Sequence, residues 1–266
     1  MSNLIHQPCG DCGSSDALQI NIAENGAVKS TFCHSCGQYT AASDGYSPVE
    51  IPEPSEPKPK PDFSSVERML TTANYQAIVS RGLNTATAKT YGILEKPDKT
   101  YFSYHDPEDA NVPIAAKIRL PDKNFYNVGN WSGAGLFGQQ LFNGGGKYIT
   151  LCEGEFDAAA AYQMQGSKYA CVSVRNGAGG ALKDCKAAYE YLDSFEAIII
   201  CFDADEAGCK ASKEVAELFS GKAAIVKHTG GHKDACDYLV ANDIKGFVAA
   251  FWAAEKFVPD GIINGA

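Results

Sequence analysis

Apolar and polar positions along the chain change their spacing twice, and the changes divide the molecule. Residues 1–45 hold few apolar positions. The run Gln19–Phe32 (QINIAENGAVKSTF) alternates in a way that predicts a β-hairpin turning at Asn25–Gly26. From residue 63 to about 146 the pattern is mixed. It predicts a helix over Val66–Ala77, a second helix capped by Asn84 or Thr85, and strands over Lys99–Tyr104 and Val112–Leu120. From Lys147 the spacing becomes regular. Strands are expected at Lys147–Cys152, Ala170–Val174, Ala197–Asp203 and Ala223–His228. Helices are expected at Glu155–Gln165, Ala181–Leu192, Ala207–Phe219, Ala235–Asn242 and Ile244–Glu255. Strand–helix alternation with β-rich runs such as AIIICF implies an α/β fold, its mostly parallel sheet covered by helices on both faces. An α+β subdomain precedes that sheet, and a small β domain precedes both. Neither an internal repeat nor a coiled-coil heptad is present.

Composition sharpens the boundaries. Half of the 12 prolines lie between Ser47 and Pro61 (SPVEIPEPSEPKPKP). Proline at every second or third position cannot enter a helix or donate to a sheet, so residues 46–62 are expected to be an extended spacer of ~3.1 Å per residue. The resulting domain map is 1–45, a linker 46–62, an N-terminal subdomain 63–146, a catalytic subdomain 147–258 and a tail 259–266, the tail reading as the start of a further linker. The first of these is too small to fold on its own core and needs a staple.

Cysteines supply that staple. Cys9-Gly-Asp-Cys12 and Cys33-His-Ser-Cys36 form C-x₂-C-x₂₀-C-x₂-C. Two-residue gaps let both thiolates of a pair reach one tetrahedral ion, and four thiolates close it. One structural zinc is therefore expected, its binding energy serving as folding energy. The small domain is then a zinc ribbon, with Gly13 and Gly37 in the knuckle turns. Lys29, Ser30, Thr31 and His34 offer polar groups from its second strand and knuckle, open equally to reading base edges of a nucleic acid, with Lys29, Ser30 and His34 as the readers, and to a solvated face. The six other cysteines sit mostly in apolar runs and read as small buried hydrophobes. The start of the chain has neither the basic stretch nor the apolar run of a secretory signal, and no apolar stretch is long enough to span a bilayer. A cytoplasmic protein with no membrane partner is expected. The net charge of −9 argues against an avid non-specific nucleic-acid binder, although carboxylates gathered around a metal also lower the formal charge.

Such a gathering is predicted. Glu153-Gly-Glu155-Phe-Asp157, Asp203-Ala-Asp205-Glu206-Ala-Gly208 and Lys233-Asp234-Ala-Cys-Asp237 each follow a predicted strand. Ligands of open α/β sheets bind beyond the carboxyl ends of the strands, so the clusters converge on one crevice. Carboxylates crowded together need a cation, and oxygen-only ligands select one or two Mg²⁺ or Mn²⁺ ions. Metal-assisted nucleotidyl or phosphoryl transfer is the chemistry such a site serves. Lys117 and Arg119, two apart on one strand, share a face beside it.

C-E-G-E followed by D-A-D-E-A-G resembles the TOPRIM domain of bacterial-type primases, type IA and II topoisomerases, OLD-family nucleases and RecR. Over nearly its whole length the chain resembles the primase half of the primase–helicases of short-tailed, T-odd phages. The likeness runs through C-G-S-S, R-G-L, K-I-R, D-K-N-F, L-F-G, E-G-E, D-A-D-E-A-G, K-D-A-C-D and V-P-D-G. The resemblance implies a TOPRIM-type sheet and a DNA primase making short RNA primers on single-stranded DNA from nucleoside triphosphates such as ATP and CTP, in the cytoplasm of the host. It implies a general base at Glu153 and magnesium ligation by Glu153, Asp157, Asp203, Asp205 and Asp237. It further implies nucleotide and template binding by Arg81, Lys117, Arg119, Lys123 and Asn124, and as partners a replicative helicase, fused or separate, and the phage DNA polymerase. Two positions depart from the pattern: Ser30 replaces a histidine three residues before the third zinc cysteine, and Tyr126 replaces a lysine after N-F. The template sequence is therefore not carried over. No G-x-x-x-x-G-K-[ST] occurs, so no ATP-driven motor is expected within this chain. A TOPRIM nuclease and a non-catalytic RecR-like binding module are the alternatives.

Overall fold

The computed structural model describes residues 3–7, 9, 17–23, 27–34, 38–41, 63–109 and 111–259. Packing divides the chain into two compact units, 1–61 and 62–266. The Asn25–Gly26 turn, Cys12, Cys36, the two knuckle glycines, the proline-rich segment and the end of the tail lie outside the described residues.

The first unit is a four-stranded antiparallel sheet in sequential order, β1 (Asn3–Gln7), β2 (Leu18–Ile22), β3 (Val28–Cys33) and β4 (Tyr39–Ala41). The predicted hairpin is β2–β3, and a bulge near Asn21–Ile22 shifts its register. Alternation turns Leu18, Ile20, Thr31 and Cys33 to one face, where Leu18, Ile20, Val28, Cys9 and Cys33 form a very small core. Thr31, expected among the outward polar groups, is turned inward and is 8% exposed.

The second unit begins with α1 (Phe63–Thr71) and α2 (Thr85–Tyr91). Helix α1 ends well before the predicted Ala77, because the Tyr75 hydroxyl folds back to donate to the carbonyl of Leu70. The side chain of Asn84 caps α2 by accepting from the Thr87 amide. A four-stranded antiparallel meander follows: β5 (Ile93–Lys96), β6 (Lys99–His105), β7 (Pro113–Arg119) and β8 (Phe125–Gly129). The sequence pattern shows β6 and β7 but not the short strands β5 and β8.

The remainder is the α/β layer: β9 (Tyr148–Cys152), α3 (Glu155–Met164), β10 (Ala170–Ser173), α4 (Gly177–Ala187), α5 (Tyr189–Asp193), β11 (Ala197–Cys201), α6 (Glu206–Leu218), β12 (Ala223–Ile225), α7 (Ala235–Val240), α8 (Ile244–Trp252) and β13 (Glu255–Lys256). The strand order is β10-β9-β11-β12-β13, parallel except for the last. The single helix expected over Ala181–Leu192 is instead two, α4 and α5, divided at Ala188. Alternation sends Ile149, Leu151, Ile198 and Ile200 to the face covered by α4, α5 and α6, and Cys152, Ile199 and Cys201 to the face covered by α3, α7 and α8. Four consecutive alanines, Ala158 to Ala161, are fully buried and let α3 lie close on the sheet.

That second core does not stop at the α/β layer. Ile78, Leu83, Tyr91, Phe102 and Tyr104 pack in one cluster with Phe156 and the alanines of α3. Polar links cross the same seam. The Tyr91 hydroxyl donates to the carbonyl of Cys171, and the Gln163 amide both accepts from Asn84 N–H and donates to the carbonyl of Gly82. The antiparallel meander is thus welded to the sheet that carries the acids. No helix among the described residues is long and apolar enough to cross a membrane. Cys152, Cys171, Cys185, Cys201 and Cys236 are buried as the apolar pattern suggests, while Cys209 is exposed.

Candidate active site

Each acidic cluster begins where a parallel strand ends. Strand β9 runs out at Cys152, so Glu153 emerges at the carboxyl edge, and Glu155 to Asp157 form the first turn of α3. Strand β11 runs out at Cys201. Asp203 follows, and Asp205 becomes the N-cap of α6, accepting from the Gly208 amide at 2.8 Å. Only glycine fits at 208: a Cβ there would lie 2.2 Å from the carbonyl oxygen of Asp203. Gly208→Ala is expected to lower the thermal midpoint by the few degrees that an overpacked site costs, about 1–3 kcal/mol, and to displace Asp203. Differential scanning fluorimetry beside an activity assay checks both effects.

Strands β9 and β11 are neighbours, with Cys152 in register with Cys201, and this brings Glu153 beside Asp203. One carboxylate oxygen of Glu153 accepts from the Ala178 amide at 3.1 Å, while the other, Oε2, is buried with no hydrogen-bond partner. Burial raises the pKa of Glu153, against backbone donors at Ala178 and Asp203 that lower it. Asp203 is pushed up to about 7 by burial, then by the charges of Glu153, Asp234 and Asp205. Asp157 is raised well above the carboxylate range by burial, then by Asp234 and Asp203, against one bond from the Cys236 amide.

Five acids, Glu153, Asp157, Asp203, Asp205 and Asp234, that repel one another around an unpartnered buried oxygen fit a divalent cation. Among the described residues, no three His, Cys, Asp or Glu side chains close on a single point as they stand.

In the third cluster, Asp234 is the acid whose charge acts on Asp203 and Asp157. Asp234 is the N-cap of α7 and accepts from the Asp237 amide, while the Asp237 carboxylate turns back to accept from Lys233 N–H at 3.0 Å. Both acids therefore help to cap α7, each accepting one backbone N–H. The bond from Ala204 N–H to the carbonyl of Lys233 ties the second and third clusters together.

A cleft of about 260 Å³ is tied to the acids through Phe156 and through Cys236, whose thiol meets the Arg81 carbonyl while its amide donates to Asp157. Arg81, Arg119 and Lys123 line it, together with Lys96, Lys99 and Glu95 beside the β5–β6 turn, which the sequence reading did not name. Both guanidinium groups approach one ring, Arg81 at 4.7 Å and Arg119 at 5.8 Å from the centroid of Phe156, the residue between Glu155 and Asp157. Lys123 occupies a left-handed backbone position (φ 69°) that glycine or asparagine would take more easily, so its side chain is retained there at a local backbone cost.

Lys117 and Arg119 share a second, smaller cavity of about 190 Å³, as their strand spacing predicts. Lys117, however, is nearly buried. Its ammonium lies 2.7 Å from Glu155, donates to the carbonyl of Arg175 at 2.9 Å and stands 4.7 Å from the centroid of the Phe125 ring. The Tyr104 hydroxyl donates to the same oxygen of Glu155 at 2.7 Å. Asn124 is not brought into either cavity, since its side chain and its amide both donate to Asp122 in the β7–β8 turn.

Residues 150–239 match a family described as Toprim-like. A curated relative, the DNA helicase/primase of Enterobacteria phage T3, is 33% identical over 265 residues, covering 98% of this chain and 45% of that protein. The chain thus spans less than half the length of that relative. Among solved structures, the primase fragment of the bacteriophage T7 primase–helicase is 33% identical with a TM-score of 0.61, and the match covers 95% of this chain and 100% of that one. The chain belongs to this phage primase family. Primase domains solved with the T7 lagging-strand DNA polymerase, an RNA/DNA hybrid and dTTP are 36% identical, with a TM-score of 0.61 over 69% of this chain and 94% of theirs. The TOPRIM-type sheet expected from E-G-E and D-A-D-E-A-G is the sheet β10-β9-β11-β12-β13.

In this member of the phage primase family, the described part of the first unit holds Cys9 and Cys33 buried in its small core. Ser30 lies on β3 and accepts from the Asn21 side chain, Lys29 falls at the bulge and is exposed, and His34 follows β3 with its ring nitrogen bonded to Gln19.

Proposed function

We propose that this chain is a DNA primase, a nucleotidyltransferase that condenses nucleoside triphosphates on single-stranded DNA. The observation that carries the reading is the juxtaposition of Glu153, Asp203, Asp205 and Asp234 with the basic cleft of Arg81, Arg119 and Lys123, on the fold of the phage primase family. Glu153 serves as the general base. Its buried, hydrogen-bond-free oxygen and raised pKa suit it to take the proton of the 3′-hydroxyl on the first nucleotide. That hydroxyl oxygen bonds to the α-phosphorus of the second nucleotide, the bond to the bridging oxygen breaks, and pyrophosphate leaves. Arg81, Arg119 and Lys123 hold the triphosphate charge, and Phe156 keeps the two guanidiniums aimed into the cleft. Asp203 and Asp205 would hold magnesium or manganese, with Asp157 and Asp234 in support; the ion, when bound, neutralises charge on the phosphates being transferred.

In the first unit, Cys9, Cys12, Cys33 and Cys36 would hold one zinc ion that completes a core too small to stand alone. The zinc module then presents the template and the second unit performs the chemistry. A helicase and a replicative polymerase are the protein partners that the T3 and T7 relatives suggest, in the host cytoplasm.

The test is primer synthesis on a randomised single-stranded DNA library with all four nucleoside triphosphates and Mg²⁺. Short RNA products are expected. EDTA is expected to abolish them, and prior zinc chelation to abolish template selectivity. Degradation of the DNA in place of synthesis would replace this reading with a nuclease.

A further inference from the structure

Helix α4 begins badly for a helix, and its first turn nonetheless carries a contact to Glu153. The turn reads Gly177-Ala178-Gly179-Gly180, and glycine has the lowest helix propensity of any residue but proline. No acid stands in that turn to meet the helix dipole. Asn176 occupies the N-cap position, but its side chain accepts from no backbone N–H of the helix. A terminus of this kind frays unless groups outside its first turn hold it. The Ala178 amide within it is the group that donates to Glu153 Oε1 at 3.1 Å.

The missing cap comes from two turns further along the same helix. Asp184 is 1% exposed, and its carboxylate gathers the donors at the head of α4. Oδ2 accepts from Arg175 N–H at 2.8 Å and from Asn176 N–H at 3.2 Å. Oδ1 accepts from the Arg175 guanidinium, from Nη2 at 2.9 Å and Nε at 3.2 Å. The Asn176 side-chain amide reaches both oxygens at 3.3 Å. Arg175 is fixed in turn. Its Nη1 donates to the carbonyls of Trp131 and Ala134, at 3.1 and 2.8 Å, in the loop after β8. Its own carbonyl accepts from Lys117 of β7 at 2.9 Å.

Stability alone does not account for this arrangement. A buried ion pair contributes little beyond a well-packed apolar pair of the same volume, because desolvating two charges offsets their attraction. What it adds is direction. A guanidinium fork and two backbone N–H groups on one carboxylate fix the backbone at 175 and 176 in a single orientation. Ala178 follows two residues later, and its amide decides which oxygen of Glu153 is tied and which, Oε2, stays unbonded.

We infer that Asp184 and Arg175 are positioning residues for the reaction, holding the head of α4 so that Ala178 N–H orients the Glu153 carboxylate. Neither lines the cleft of Arg81, Arg119 and Lys123. The inference rests on the primase reading and deepens it, adding two residues that act only through Glu153.

The experiment uses the full chain in steady-state primer synthesis with Mg²⁺, beside template binding and thermal unfolding. Arg175→Met combined with Asp184→Leu removes both charges together, so neither is left buried alone. Below its thermal midpoint this double variant is expected to lose about 10- to 100-fold in kcat, the cost of a misplaced catalytic group. Its KM for nucleoside triphosphates and its template affinity are expected to stay at the parental values. Arg175→Lys keeps a cation for Asp184 and the two backbone bonds, and is expected to retain the parental kcat. If the apolar pair does not fold, Asp184→Asn, which keeps the side-chain volume, supplies the same comparison. In the Glu153→Gln background the double variant is expected to lose nothing further. Parental kcat in a folded variant, a KM that rises as kcat falls, or an equal further loss on top of Glu153→Gln overturns the inference. A parent that makes no primers on any template overturns the primase reading itself, a different result.

Discussion

Replacing Glu153 by glutamine is expected to cut primer synthesis by roughly 10²- to 10⁴-fold, the range that a positioned general base contributes. The replacement keeps the shape of the side chain and an oxygen able to accept from the Ala178 amide, so the local backbone has no reason to move. What it removes is the basic oxygen, Oε2, which is buried and bonded to nothing in the protein. Single-strand binding should persist, because the template and triphosphate contacts lie on other residues. Steady-state synthesis of a dinucleotide from the first two nucleotides, measured beside template binding, separates the two effects. Synthesis at the parental rate would remove Glu153 from the chemistry.

The second large effect concerns the other glutamate of the same motif. Lys117→Met is expected to destabilise the 62–266 unit by about 3–5 kcal/mol, a fall of roughly 10 °C in the thermal midpoint, because it leaves Glu155 charged, nearly buried and without its cation. Tyr104 still donates to Glu155, but one neutral hydrogen bond does not replace an ammonium. Adding Glu155→Gln to Lys117→Met should recover much of the loss, since the amide oxygen still accepts from Tyr104 and no charge remains. Thermal unfolding of the two single variants and the double variant measures the coupling. Additive losses would show that the pair does not act as a unit. If Lys117 also meets the nucleotide, the double variant regains stability without regaining activity.

The alternation of strands and helices after Lys147 was legible in the sequence because β9 to β12 are short runs of mostly apolar residues, whereas Glu255 of the charged pair in β13 was read as the end of a helix. Strands β5 and β8 were not legible: they are short, and their pairing rather than their composition makes them strands. The beginning of α4 was hidden by G-A-G-G, which propensity reads as loop. Within the helix Gly180 fills a position where a Cβ would come within 2.5 Å of the side chain of Asn176, the residue just before α4. At the site, Glu153, Asp203 and Asp205 follow from motif and strand position alone. The charge of Asp234 on Asp203 and Asp157 needed the packed structure, and the burial of Lys117 needed the position of Glu155 across the seam. A charge on a strand carries no sign of whether it faces water or a buried partner.

The short strand β13 does more than end the chain's last helix. A parallel sheet built from β10, β9, β11 and β12 has two open margins, each a row of backbone groups able to recruit a strand from another molecule. On one side Glu255 and Lys256 lie antiparallel against β12, and Glu255 is held to Lys227 at 2.7 Å. On the other, Phe137 exchanges both backbone hydrogen bonds with Ser173 of β10. A two-residue charged strip and a one-residue bridge therefore guard the margins of the catalytic layer. Colloidal stability of this layer at high concentration is thus expected to depend on residues that lie outside the acidic clusters.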